Sequence, residues 1–126
     1  FQNENKILFN LKIQNSIINF NFSNNLHNLY QIDLSGTKLK SFDEKKIFVN
    51  SKSLTFLIFR NFKINTTFLI NYFDFEIFKD LIKVDLSQNQ IEFIPESFFI
   101  RNSYLRMLNL SFNNLKYFST EFLNLK

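Results

Sequence analysis

The chain contains no cysteine, no alanine and no tryptophan, and only one glycine and one proline among its 126 residues. Without cysteine, neither a disulfide framework nor a thiolate metal site can form. A glycine-rich phosphate loop is excluded as well, because Gly36 stands alone. The longest strictly apolar run, around Leu57-Ile58-Phe59, falls far short of the roughly 20 residues that a bilayer span requires. The opening Phe1-Gln2-Asn3-Glu4 has neither the basic start nor the apolar stretch of a signal peptide. Long charge runs are missing too. The net charge is +4, with lysines and carboxylates interspersed, so no basic track or helix for nucleic acid or a membrane surface emerges.

Phenylalanine and asparagine are abundant, at 19 residues each. Phe, Asn, Ile and Lys share A/T-rich codons, whereas Ala, Gly and Pro need G/C-rich ones. The bias therefore reads as a genome's signature before it reads as a prion-like, asparagine-rich segment.

An internal period organises the chain. Leu81–Ile94 (LIKVDLSQNQIEFI) and Leu105–Phe118 (LRMLNLSFNNLKYF) place apolar residues at offsets 0, 3, 5, 10 and 13, with Asn89 and Asn113 at offset 8. The same frame fits Leu29–Phe42 with Thr37 in the asparagine slot, and Leu54–Ile64 with Phe62 there. A weaker copy runs over Leu8–Ile18 with Ser16 in the slot. Starts at 8, 29, 54, 81 and 105 give units of 21, 25, 27 and 24 residues. Alternation such as Val84-Asp85-Leu86-Ser87 describes a short strand with one buried face. One such strand cannot bury its apolar side, but stacked copies can, as a parallel sheet in which each unit touches only its neighbours. An asparagine at offset 8 can donate to and accept from backbone groups that the turn leaves unpaired. Phe62 has no such groups, so repeat three should lack a rung of that ladder.

This pattern, LxxLxLxxNxL, resembles the leucine-rich-repeat family over nearly the whole chain. The resemblance implies an α/β solenoid: a curved array with a parallel concave β-sheet and irregular or short-helical convex segments. The repeats are expected at about 8–28, 29–53, 54–80, 81–104 and 105–126, as a single fragment that continues beyond both ends, since neither end has a cysteine-rich cap. Ile94 and Phe99, with their counterparts Phe42, Ile47, Phe118 and Leu123, should fill the core behind the sheet. In the long third unit, Asn71 can cap a short helix over Asn71–Asp80, with Tyr72, Phe75 and Phe78 turned inward. Repeats two, four and five look like the 24-residue subtype of extracellular receptors and matrix proteins, and Pro95 suits that subtype's outer segment.

No residue pattern carries catalysis. His27, the sole histidine, lies in a connecting segment with no nucleophile spaced to meet it. The acidic pairs Asp43-Glu44 and Asp74/Glu76 read as solvated surface. Asp33 and Asp85 both sit at offset 4, but two strands apart, roughly 10 Å at about 4.8 Å per strand, which is too far to share a metal ion. No cofactor or metal is expected. Sequons at Asn21, Asn65 and Asn109 are possible N-glycosylation sites, yet composition alone would give roughly two by chance.

Because side chains alternate along a strand, offsets 2, 4 and 6, and offset 7 at the strand's end, should project from the concave face, and Lys83, Asp85 and Ser87 should face out. One row reads Asn10, Gln31, Phe56, Lys83, Met107, and the next Lys12, Asp33, Ile58, Asp85, Asn109. A third reads Gln14, Ser35, Arg60, Ser87, Ser111, and Phe112 closes the last repeat. Phe56 and Ile58 then form an apolar spot with Asp33, Lys83, Asp85 and Arg60 around it, the anatomy of a partner-binding hot spot. The function this implies is a non-catalytic protein-interaction solenoid, a ligand-binding or adhesion segment of an extracellular or cell-surface protein. The alternative is a cytoplasmic structural subunit that scaffolds a larger assembly, such as a cytoskeletal or ciliary complex. An enzyme regulated by repeats would need a catalytic domain outside this segment.

Overall fold

The computed structural model describes residues 9–18, 29–39 and 50–117. Five strands, one in each expected repeat, form a parallel sheet: β1 (Phe9–Lys12), β3 (Leu29–Asp33), β5 (Phe56–Ile58), β6 (Lys83–Asp85) and β7 (Met107–Asn109). Their order in space is their order along the chain. Two short strands, β2 (Ile17–Ile18) and β4 (Lys38–Leu39), pair in parallel as a second ribbon, and Asn65 bridges to Gln90 in the same sense. The stacked parallel sheet is the one that the period predicts, and the whole is the α/β solenoid that the resemblance implies. Each unit contributes a strand too short to stand alone, and only stacking satisfies its backbone.

The register matches the offset frame. Gln31, Phe56, Lys83 and Met107 are successive partners, as are Lys12, Asp33, Ile58, Asp85 and Asn109. The apolar positions between them close the core: Ile32, Leu57 and Val84 are fully buried, as are Leu34, Phe59 and Leu86 two residues on. Leu81, Ile91, Ile94 and Phe99 are buried as expected, while Leu108, Leu110 and Leu115 of the last unit are half-buried. Phe42, Ile47, Phe118 and Leu123 lie outside the described residues, as do His27, Asp43, Glu44 and the Asn21 sequon.

Behind the sheet, repeat three supplies an aromatic spine. Phe59 meets Phe62 and Phe73 edge-on at 4.9 and 5.4 Å, Phe73 stacks on Phe75, and Phe75 packs on Phe99 at 4.7 Å. These buried rings pack on one another, and edge-to-face pairs add to their area burial. Phe62 is buried, as its place in the spine requires.

The helix of this unit begins earlier than the sequence suggests. It spans Thr66–Tyr72, and Asn65, not Asn71, is the N-cap, accepting from Phe68 N–H at 2.8 Å. Asn65 holds the extended conformation that a cap requires, and Phe73 ends the helix by turning extended. Buried Thr66 fixes this placement from outside the helix, because its hydroxyl accepts from Glu92 N–H of the next repeat at 2.8 Å. Over the rest of the expected helical stretch, tight turns bond Ile77 N–H to the Asp74 carbonyl and Phe78 N–H to that of Phe75. Phe75 and Phe78 are buried and Tyr72 half-buried, so the inward face is where the spacing puts it.

Candidate functional site

The exposed face of the sheet is built by what happens where each strand ends. The residue at offset 7 is left-handed in every unit: Asn15, Gly36, Asn61, Gln88 and Phe112, with φ between 51° and 68°. Through this turn the ladder continues, since Asn15, Gly36, Asn61 and Gln88 each donate a backbone N–H to the offset-6 carbonyl of the next repeat. Asparagine and glycine tolerate this conformation, whereas an aromatic side chain does not adopt it readily. Phe112 is thus a strained residue, and its ring is 80% exposed.

At offset 8, buried Asn89 knits repeats three and four. Its carbonyl oxygen accepts from Phe62 N–H and Ile64 N–H, both at 3.0 Å, and its amide donates to the carbonyls of Phe59 and Leu86. Asn113 bonds Ile91, Leu86 and Leu110 in the same way. Each asparagine serves the repeat before it, so the rung that Phe62 lacks falls between repeats two and three. There Leu34, which occupies the place of Phe59 and Leu86, has its carbonyl bonded by Thr37 N–H within its own turn. Thr37 does part of the asparagine's work, donating its hydroxyl to the Ile13 carbonyl.

Offset 4 corrects the sequence reading. Asp85 and Ser87 point to the sheet face but are not open to solvent: Asp85 is 2% exposed, and Asp33 and Ser87 are buried too. The reason is a local motif repeated three times. Asp33, Asp85 and Asn109 each accept both the backbone N–H and the hydroxyl of the serine two residues on, Ser35, Ser87 and Ser111. The second carboxylate oxygen is taken from the preceding repeat, by Gln14 for Asp33 at 2.8 Å and by Arg60 for Asp85 at 2.9 Å. The signal was in the sequence as Asp33-Leu34-Ser35, Asp85-Leu86-Ser87 and Asn109-Leu110-Ser111. Burial is the largest influence on the Asp85 carboxyl and pushes its pKa up. Hydrogen bonds from the Ser87 hydroxyl, Arg60 and the Ser87 N–H, with the Arg60 charge, outweigh it and hold the group below the usual carboxylate range. In turn, the hydrogen bond and charge of Asp85 raise Arg60 further.

What reaches solvent is therefore a different set from the full row. On the central strand, Phe56 and Ile58 are half-buried and belong neither to the core nor to the side chains packed against it. Lys83 is half-buried beside Phe56, Lys12 and Met107 are exposed, and the Arg60 side chain remains 51% exposed despite its bond to Asp85. The six residues expected at the site do gather on one face, but Asp33 and Asp85 form its floor rather than its rim. Asn109 is half-buried on the same face, whereas Asn65 is exposed away from it.

Among the described residues, no group of three or more His, Asp or Glu side chains is placed to hold a metal, and no helix is long and apolar enough to cross a membrane. The arrangement offers a surface. Residues 79–126, the fourth and fifth units, match the family model described as Leucine rich repeat, whose members generally act as protein-interaction modules. No curated protein matches the chain. That match over the last two units, with one hydrogen-bonded register through five parallel strands, supports a leucine-rich-repeat family for the chain.

Proposed function

We propose that this chain is a non-catalytic, ligand-binding or adhesion segment of an ectodomain that meets a protein partner on the exposed face of its sheet. The observation that carries the reading is Phe56 beside Ile58 on the central strand. An aromatic and a β-branched aliphatic stay accessible there, although a chain this rich in apolar residues buries their strand neighbour Leu57 completely. Accessible aromatics ringed by polar groups are where binding energy concentrates. The ectodomain part of the proposal is supported by the likeness of repeats two, four and five to the 24-residue extracellular subtype. The exposed sequon at Asn65 is compatible with it.

Two experiments test these parts separately. Phe56→Ala should weaken capture of the native partner by about 1–3 kcal/mol while the fold persists. Unchanged capture would overturn the choice of surface. For the compartment, intact native material is weighed before and after enzymatic deglycosylation. A loss of mass that maps to Asn65 supports the ectodomain. An unchanged mass removes the glycan argument and leaves the cytoplasmic scaffold as the better reading.

A further inference from the structure

The charges on the sheet are segregated by depth, and this bears on the partner's chemistry. Seven carboxylates occur among the described residues: Asp33, Asp74, Glu76, Asp80, Asp85, Glu92 and Glu96. Five of them lie off the five-stranded sheet, and the two on it, Asp33 and Asp85, are buried. Both oxygens of each buried carboxylate already accept hydrogen bonds, from Ser35 and Gln14 in one case and from Ser87 and Arg60 in the other. A lysine or arginine arriving from a partner would find both groups buried, with three of the roughly four acceptor positions of each already taken. Among the described residues, the ionic groups that do reach solvent on this face are cations, Lys12, Arg60 and Lys83. Arg60 carries five N–H donors and directs only part of its fork at Asp85.

We propose that the exposed face of the sheet binds an acidic segment of another protein, which seats an apolar side chain on Phe56 and Ile58 and sets carboxylates against Lys12, Arg60 and Lys83. This rests on the reading that the sheet face is the interaction surface, and adds the chemical class of the partner. The dimensions suit an extended chain. Lys12 and Lys83 lie three strand spacings apart, roughly 14 Å at about 4.8 Å each, which about four extended residues cover. Nucleic acid fits less well, because three cations form no phosphate track and Ile58 offers no ring for a base to stack on.

The test is a selection of displayed random peptides on the intact chain, followed by affinity measurements with the enriched peptides and with an oligothymidylate. Lys12→Glu/Lys83→Glu and Phe56→Ala, all exposed or half-exposed positions, are compared after thermal unfolding confirms that they fold. The expected peptides pair Asp or Glu with an aromatic or aliphatic residue. Their affinity should fall by roughly tenfold or more in each variant, and also on raising salt. Loss in Phe56→Ala without loss in the charge reversal would overturn the acidic partner and spare the surface. Binding indifferent to both variants, or a selection that enriches nothing, would overturn both. Basic or neutral enriched peptides, or tighter binding of the oligothymidylate, would overturn the partner class.

Discussion

The guanidinium of Arg60, at the end of one strand, donates at 2.9 Å to a carboxylate oxygen of Asp85 on the next, and the donor is half exposed while the acceptor is covered. The pair joins repeats three and four across the sheet face at the place where repeat three departs from the Asp-x-Ser motif. Arg60 stands where repeats two and four carry Ser35 and Ser87, and it serves the neighbouring carboxylate instead of one in its own strand.

A pH dependence follows from this pair. The folded-state pKa of Asp85 is lowered, so its stabilisation is fully present above the unfolded value of about 3.9 and disappears as pH falls through the lower folded value. Asp85→Asn, which mimics Asn109, should keep the Ser87 turn and lose the ion pair, costing on the order of 1 kcal/mol at neutral pH. Denaturant unfolding at a series of pH values checks it. Below about pH 4 the variant should lose less stability with falling pH than the parent; equal slopes would show that Asp85 is not the titrating group.

Asn89 should be the most sensitive single polar residue of the array. Removing its amide leaves Phe62 N–H, Ile64 N–H and the Phe59 carbonyl buried without those partners. Asn89→Ala is expected to cost about 3 kcal/mol or more by chemical denaturation, because each stranded buried group costs on the order of 1–3 kcal/mol. By contrast, Asn113→Ala should cost less, since that side chain is only half-buried.

The left-handed column gives a paired prediction. Gly36 has φ 68°, and a Cβ there would run into the Asn15 side chain of the adjacent repeat. Gly36→Ala should therefore destabilise by about 1 kcal/mol, from backbone strain and this crowding. Phe112→Gly should leave stability unchanged or raise it by on the order of 1 kcal/mol, because it relieves a strained conformation and removes no buried ring. Thermal unfolding midpoints of the two variants should move apart.

Asn65 caps the helix of repeat three through its carbonyl oxygen, which a glycan on its nitrogen would leave in place. Asn65→Ala should cost about 1 kcal/mol, the usual value of an N-cap. Asn65→Asp should retain most of that stability while abolishing the sequon. Equal stability of the alanine variant and the parent would show that the cap contributes nothing.

These residues also mark how far the sequence could be read. Period-two alternation pins register, since a slip of one residue would turn Leu57 and Val84 to solvent, and so the rows through Phe56 and Ile58 were legible in advance. The burial of Asp33 and Asp85 was not. Alternation says which face a side chain takes, not whether its neighbours will cover it. The cover came from Ser35, Ser87, Gln14 and Arg60, one row away. The helix start was ambiguous because Asn65 and Asn71 both qualify as caps, and the hydroxyl of Thr66, bonded from the next repeat, decided between them. The offset-7 turn left no common residue type, being Asn, Gly, Asn, Gln and Phe in succession, so its shared conformation could be seen only in the backbone.

The most direct test of the interaction surface is amide hydrogen exchange of the chain with and without its bound partner. Slowed exchange should map to residues 56–60 and 83–87, with the helix Thr66–Tyr72 and the segment 92–104 unchanged. Protection confined to that helix and segment, with the strands exchanging as in the free chain, would contradict the account.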